Sequence, residues 1–592
     1  MSAAVAAPEM EDLKAPKMMC YQCEQTNSGM GCTTVGVCKK SADTAGLQDL
    51  QMQYTFRLCQ LASIDSGPYE EQCRQLVLET FFSTLTNVNF DNTRFQSYLK
   101  QSATLIHKME EHLKHAGFEA PVQNATLPKV KKAGYETDPA VESTVEELLK
   151  QAEPTGILAR SALVGNEDIF GVLEMLTYGL KGTCAYFYHA EELKAGDAAY
   201  AEGEREQIYQ EIYRVGAFLA EACCSKPKED ALTVGLTECL QMGALNLQVM
   251  KCLDAAHTTL LGSPEPTEVS QETPEGPAIL VSGHDLAVLL RLLQQTEGTG
   301  LNVYTHGEML PAHSYPNLKK YTHLKGHFGT HWGNQVKEFR HFPGSILMTS
   351  NCLMPPQGKY KDRIWTCGPV GFEKLPNTLN HDYSPLIEQA KQFADKIPVP
   401  RSGQIPHQKL TIGFGHAAVL GVAETVVGAI KSGALKHVFV IGGCDGTESS
   451  RSYFTDLAND TPPDSIILTL GCGKFRLNNL DLGTLGGLPR LLDVGQCNDA
   501  YSAVIIATKL AEALGCTVHD LPLHFAVSWF EQKAVAVLLT LLHLNLKNIR
   551  LGPNLPGFIT GNVLKVLNEK FGLKPARLHE EDEDLAEMLS GK

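Results

Sequence analysis

No stretch of this 592-residue chain reaches the roughly 18–20 uninterrupted apolar residues that a bilayer span requires, so membrane insertion is not expected. Positive charge is in short supply as well. Fifty-one Lys and Arg face 67 Asp and Glu, a formal charge of −16, which is the wrong sign for a protein that grips nucleic acid through its net field. Small molecules and redox partners are the expected ligands. The first 19 residues carry Glu9, Glu11 and Asp12 beside Lys14 and Lys17, with no Arg and no hydrophobic run. That fits neither a signal peptide nor an acid-poor transit peptide, and the expected location is cytoplasmic; an organellar one would need a targeting segment removed ahead of this numbering. There is no internal repeat and no low-complexity tract. No G-x-G-x-x-G follows a strand pattern, and GFGHAAVLG around Gly413 is a poor substitute, which argues against a pair of dinucleotide-binding domains.

What is present is a globular composition, 43% hydrophobic and 20% charged, on a chain long enough for roughly three or four domains. A peptide hormone or a small disulfide scaffold is excluded. Seventeen cysteines are many, but an odd number spread over several hundred residues does not read as a disulfide framework. Metal or redox chemistry becomes the leading expectation.

From about Leu47 to Leu260 the apolar residues follow a helical period, as in Val141–Gln151, Ile169–Leu180, Arg205–Cys223 and Leu232–Cys252. The Pro, Thr and Glu-rich stretch Gly262–Gly276 reads as a linker. Beyond it, short apolar runs alternate with helix-length segments. Ala278–Val281, Leu301–Tyr304, Ser345–Met348 and Arg363–Trp365 read as one series of strands. After the Pro-containing stretch Lys396–Gln408 comes a second series, Lys409–Ile412, His437–Ile441, Ser465–Leu470, Leu491–Val494 and Leu523–Ser528. The expected architecture is α followed by α/β: a helical N-terminal domain over residues 1–260, then two Rossmann-like domains with mainly parallel sheets over 261–397 and 398–592. The acidic run Glu580–Asp584 reads as a solvated end.

Residues 19–39, MCYQCEQTNSGMGCTTVGVCK, place Cys20, Cys23, Cys32 and Cys38 in a C-x2-C-x8-C-x5-C array. Four thiolates this close in sequence can close round one ion or cluster, and Gly29, Gly31 and Gly36 let the backbone turn where they converge. The spacing suits an iron–sulfur centre. Zinc also accepts four cysteines, although a structural zinc site more often shows two C-x2-C knuckles, and four unrelated buried thiols are the remaining alternative. Cys59, Cys73, Cys184, Cys223, Cys224, Cys239 and Cys252 sit in helical patterns and read as inert core thiols.

In open α/β sheets, ligands gather beyond the carboxyl ends of the strands. There the run AILVSG ends at His284, LNVYTHG at Glu308, ILMTSN at Cys352, VFVIGG at Cys444, IILTLG at Cys472, LLDVGQ at Cys497 and FAVSWF at Glu531, with Lys533 close behind. Each has a bland reading: a small core Cys, a hydrogen-bonded His, a helix-capping Glu. Their recurrence at equivalent places in neighbouring domains points to a shared metal site that mixes soft thiolates with imidazole and carboxylates, which suits iron carrying sulfide and oxygen bridges. Cys367, in RIWTCGPVGF, also ends a strand, and pattern alone keeps it in contention.

The segments MCYQCEQT, GHD, HGEMLPAH, SNCLMPP, GGCDG, GCGK, GQCNDAYS and SWFEQKA resemble those of the hybrid cluster (prismane, hydroxylamine reductase) family over nearly the full length. The resemblance implies a 4Fe-4S cubane held by Cys20, Cys23, Cys32 and Cys38. It implies a 4Fe-2S-2O hybrid cluster held by His284, Glu308, Cys352, Cys444, Cys472, Cys497 and Glu531, with a persulfide at Cys444 and Lys533 beside it. Cys367 matches no family ligand. A leader of roughly 15 residues and the linker near 265 depart from the pattern without touching a ligand motif.

The implied activity is two-electron reduction of hydroxylamine to ammonia and water at the hybrid cluster, with an unidentified redox protein as electron donor and His284, Glu308 or Lys533 as proton carriers. Nitric oxide reduction at the same site is an alternative, as is a redox-signalling role in which Cys444 passes nitric oxide equivalents to other proteins. A carbon monoxide dehydrogenase would want a nickel–iron site with more cysteine and less carboxylate.

Overall fold

The computed structural model describes residues 17–26, 30–119, 121, 143–193, 200–271, 276–393 and 409–590. The leader, Gly29, the start of the expected helix at Val141 and the stretch Lys396–Gln408 lie outside the described residues.

The helical region is built from α1 Ala42–Ala62, α2 Glu70–Ser83, α3 Asn92–His115, α4 Val145–Ala152, α5 Ile157–Val164, α6 Glu167–Leu193, α7 Glu204–Ala222 and α8 Ala231–Leu261. Side-chain caps start several of them: Ser41 accepts from the Thr44 N–H, Asp91 from Thr93, and Thr144 and Glu147 form a reciprocal capping box. From Phe170 to Phe187, α6 is buried on every side, as a helix at the centre of a bundle should be.

Strands β1 Thr267–Ser270 and β7 Lys409–Ile412 flank a five-stranded parallel sheet. Its strands are β2 Ala278–Ser282, β3 Asn302–His306, β4 Leu324–His327, β5 Gly344–Met348 and β6 Ile364–Thr366, in spatial order β4-β3-β2-β5-β6. The second sheet has six parallel strands in the order β12-β9-β8-β13-β14-β15: β8 His437–Gly443, β9 Ser465–Leu470, β12 Leu491–Gly495, β13 Leu523–Ser528, β14 Ile549–Gly552 and β15 Lys574–Pro575. A short hairpin, β10 Thr484–Leu485 and β11 Leu488–Pro489, precedes β12. The mixed helical and parallel-sheet class read from the sequence is the one observed.

Two readings are corrected. The stretch Gly262–Gly276 is not merely a linker, because β1 within it pairs antiparallel with β7, Thr267 opposite Ile412. Lys409–Ile412 is therefore no member of the second parallel sheet. Its alternating exposure puts Leu410 and Ile412 with Val269 on Leu310, the signature of a half-buried ribbon. The acidic run Glu580–Asp584 is solvated along most of its length, as read, with Glu580, Asp582 and Glu583 exposed, but Asp584 is buried. It opens the helix Glu581–Leu589, which lays Leu585 and Met588 on the core and buries Asp584, whose carboxylate accepts from Arg550 Nε at 2.8 Å and Tyr453 OH at 2.9 Å.

The helix after β13, Gln532–His543, leaves the second sheet and packs against α6 and α8. Glycines make the approach possible. A Cβ at Gly182 would sit 2.4 Å from the Gln532 carbonyl oxygen, and one at Gly243 2.1 Å from that of Leu539. The segment Phe530–Lys533 thus lies where the helical bundle meets both sheets. Among the described residues no helix is long and apolar enough to cross a membrane.

Candidate metal centres

His284, Glu308 and Cys352 follow β2, β3 and β5, and Cys444, Cys472, Cys497 and Glu531 follow β8, β9, β12 and β13. All seven line one space, together with Trp332, Asn351, Asp445 and Phe530. The two sheets therefore point their carboxyl ends at each other across it. Gln496 stitches them together, its side-chain amide donating to the carbonyls of His284 at 3.0 Å and Glu308 at 2.7 Å. The backbone must turn sharply to bring the thiols inward. Gly443 and Gly471, each just before a cysteine, have φ of 118° and 69°, and a Cβ at Gly443 would lie 2.2 Å from the Ser528 carbonyl oxygen. Cys352 itself is held at φ 81°, a left-handed conformation unfavourable for a residue with a Cβ.

The donor atoms converge. One ligand atom each from His284, Glu308 and Cys497 lies within 4.8 Å of the others, with His284 Nε2 4.0 Å from Glu308 Oε2. Cys444 Sγ lies 4.0 Å from Glu531 Oε1. Neighbouring groups orient them. The Ser350 hydroxyl is 2.8 Å from His284 Nδ1, leaving Nε2 to face the space, a common device for fixing a ligand histidine. The Cys497 N–H donates to Glu308 Oε2 at 3.0 Å, and Lys533 donates its backbone N–H to Glu531 Oε2 at 3.0 Å and its ammonium to Asn351 Oδ1 at 2.6 Å. Glu308 Oε1 is buried with no hydrogen-bond partner among the described residues.

Burial pushes the thiols of Cys352, Cys444 and Cys472 well above the ordinary range and that of Cys497 to about 12. It raises Glu308 and Glu531 too, and with the Lys533 charge it drives His284 well down. Burial thus favours the neutral forms of the thiols and of the imidazole; a metal centre would displace the thiol protons and satisfy the orphaned Glu308 oxygen.

Cys20, Cys23, Cys32 and Cys38 line a second space. Cys20 and Cys32 exchange backbone hydrogen bonds at 3.1 and 2.8 Å, which closes the loop. The two spaces are neighbours along the chain of contacts. The Glu24 N–H donates to the Phe530 carbonyl at 2.9 Å, and the Gln532 side chain donates to the Gln22 carbonyl at 3.0 Å. The cysteine loop is thereby laid directly along the segment that carries Glu531.

Cys367 does not reach the site; its thiol lies 3.4 Å from the Met348 carbonyl in an apolar cluster. The seven helical cysteines are buried in the bundle core, as expected. Asn351, Asp445 and Phe530 were missed by sequence reading although each adjoins a candidate ligand. Trp332, which donates to the Asp445 carbonyl at 2.8 Å and meets Phe530 in a tilted contact at 4.5 Å, comes from a short turn after β4 with no sequence signal.

A parallel α/β pair with a cysteine-rich centre between its sheets defines the class: the chain belongs to the Prismane/CO dehydrogenase family, whose model matches residues 18–584. Its relatives include the hydroxylamine reductase of Syntrophobacter fumaroxidans, 45% identical over 97% of this chain and 100% of that one. That of Acidiphilium cryptum shows the same identity and coverage. Among solved structures, the carbon monoxide dehydrogenase of Thermococcus sp. AM4 aligns over 97% of this chain and 90% of that one at 15% identity, with a TM-score of 0.52. Carbon monoxide dehydrogenase IV of Carboxydothermus hydrogenoformans aligns over 98% and 93% at 14% identity, also at 0.52. That likeness is one of fold.

Proposed function

We propose that this protein is an iron–sulfur oxidoreductase, a hydroxylamine reductase: NH2OH + 2e− + 2H+ → NH3 + H2O. The observation that carries the reading is the convergence of His284, Glu308, Cys352, Cys444, Cys472, Cys497 and Glu531 on one buried space. The full-length relatives of that name supply the substrate. Two carboxylates and an imidazole among four thiols make a harder donor set than an all-cysteine cluster would need.

In this reading the four N-terminal cysteines hold a 4Fe-4S cubane. The seven donors hold a 4Fe-2S-2O hybrid cluster with a persulfide at Cys444. When bound, that cluster supplies electrons and a Lewis-acidic position for the substrate nitrogen. The protein's own contribution is lining, orientation and protons. Trp332 and Phe530, in contact with each other at 4.5 Å between ring centroids, supply an apolar part of the lining. Lys533, fully buried and anchored by Asn351, holds a proton beside the thiols; the neighbouring thiols and Glu531 keep its pKa raised against burial. Once His284 and Glu308 are ligands, Lys533 is the group left free to deliver a proton.

The electron donor is a separate one-electron redox protein. None of the seventeen cysteines is in a disulfide, which suits a reducing, cytoplasmic setting. The test is anaerobic turnover with reduced methyl viologen. The reading expects one ammonia per hydroxylamine and two viologen oxidations per turnover. Absence of ammonia from protein with both centres loaded would reject it.

A further inference from the structure

Arg451 has a fully buried side chain, and its guanidinium sits on the junction between the two candidate centres. Nη2 donates to Glu24 Oε2 and to the Trp529 carbonyl, both at 3.0 Å. Nη1 donates to Ser528 Oγ at 2.7 Å and to the Cys444 carbonyl at 3.3 Å, and Nε donates to Glu448 Oε2 at 2.8 Å. Through these bonds one side chain grips the residue after Cys23, the carbonyl of Cys444 and the two residues ahead of Phe530. Glu24 is gripped from its other side by Asn554, whose amide donates to Oε1, and the Gln25 amide donates to Thr447.

A buried ion network of this kind is weak evidence for stability, since well-packed apolar groups of similar volume often do as well. Its planar, multidentate geometry is suited to fixing distances and angles. The distance it fixes is short in bonds. From Cys23 the chain passes to Glu24, across the Glu24 N–H to the Phe530 carbonyl at 2.9 Å, and on to Glu531.

We propose that Arg451 and Glu24 are positioning residues whose clasp holds this hydrogen bond closed, and with it the electron route from the four-cysteine centre to the seven-donor centre. The proposal rests on reading both spaces as iron–sulfur centres. In the step concerned, one electron leaves the four-cysteine centre, which is oxidised, and enters the other, which is reduced. No bond is made or broken and no proton moves. A one-electron donor outside the chain refills the first centre.

The experiment uses the full-length holoenzyme with Arg451→Lys, which keeps the charge but loses the fork, and Glu24→Gln, which keeps the shape and the backbone N–H but loses the anion. Electron paramagnetic resonance first quantifies each centre. Rapid-freeze-quench samples taken after mixing with reduced methyl viologen then follow the electron from one centre to the other. The expected result is wild-type spin at both centres and wild-type reduction of the four-cysteine centre, with arrival at the seven-donor centre slowed about tenfold or more. The double variant should be no slower than the slower single one, because the two residues form one device. Arrival within about twofold of wild type, with both signals intact, overturns the proposal; loss of function here demands misplacement of the route, not mere proximity. If Arg451→Lys fails to load, Glu24→Gln decides alone. Wild-type protein lacking either signal would instead remove the underlying two-centre reading, and the clasp with it.

Discussion

Cys444 and Cys367 each end a parallel strand, yet only Cys444 faces the seven-donor space, while Cys367 points into an apolar cluster. Cys444→Ala should abolish turnover and change the spectrum of that centre. Cys367→Ala should cost only packing, about 1–2 kcal/mol, read as a lowered melting temperature with activity kept. Equal effects on activity would mean the two have been wrongly distinguished. At Glu308 the Gln substitution keeps the shape but removes the anionic oxygen that now lacks a partner. Steady-state turnover should fall at least about 10- to 100-fold, and near-normal turnover with an unchanged spectrum would count against its role. These donors were legible because strand ends are visible as apolar runs stopping at a ligand type. Ser350, Gln496 and Trp332 were not, since their roles arise only when separate loops meet in space.

At the scale of elements, a short strand's partner is the hardest thing to read. Lys409–Ile412 has the apolar alternation of a strand, and nothing in it states that Thr267–Ser270, far upstream, will take it as an antiparallel mate. The acidic C-terminal helix misleads at Asp584 for the same reason, as the cation that neutralises Asp584 lies on β14. Asp584→Asn should remove one of the two carboxylates paired with Arg550, leaving Glu587 at 2.8 Å, and lower stability by about 1–3 kcal/mol. Glu583→Gln, on the exposed side of the same helix, should stay within about 0.5 kcal/mol of wild type. Thermal unfolding of the two variants side by side checks the contrast. The cysteine loop makes a further prediction: Cys23→Ser should remove iron from the four-cysteine centre while the seven-donor centre keeps its signal. Loss of both together would show that the loop is required to build the second site.

Across the whole molecule, the helical region followed by two parallel sheets could be read from periodicity, because 3.6-residue and strand-length apolar patterns differ plainly. What could not be read is the docking that makes the site. Gly182 and Gly243 look like weak points in long helices until the helix Gln532–His543 is seen pressed against them. That contact sets Glu531 beside the loop of Cys23, some five hundred residues away in sequence, and so brings the two candidate centres together. The most direct test of this account is metal and sulfide analysis, coupled to electron paramagnetic resonance, on full-length protein purified anaerobically. The account predicts iron and sulfide in two spectroscopically distinct centres, with the signal of the second altered by hydroxylamine. Zinc in place of iron at the four cysteines, or a single centre unresponsive to hydroxylamine, would contradict it.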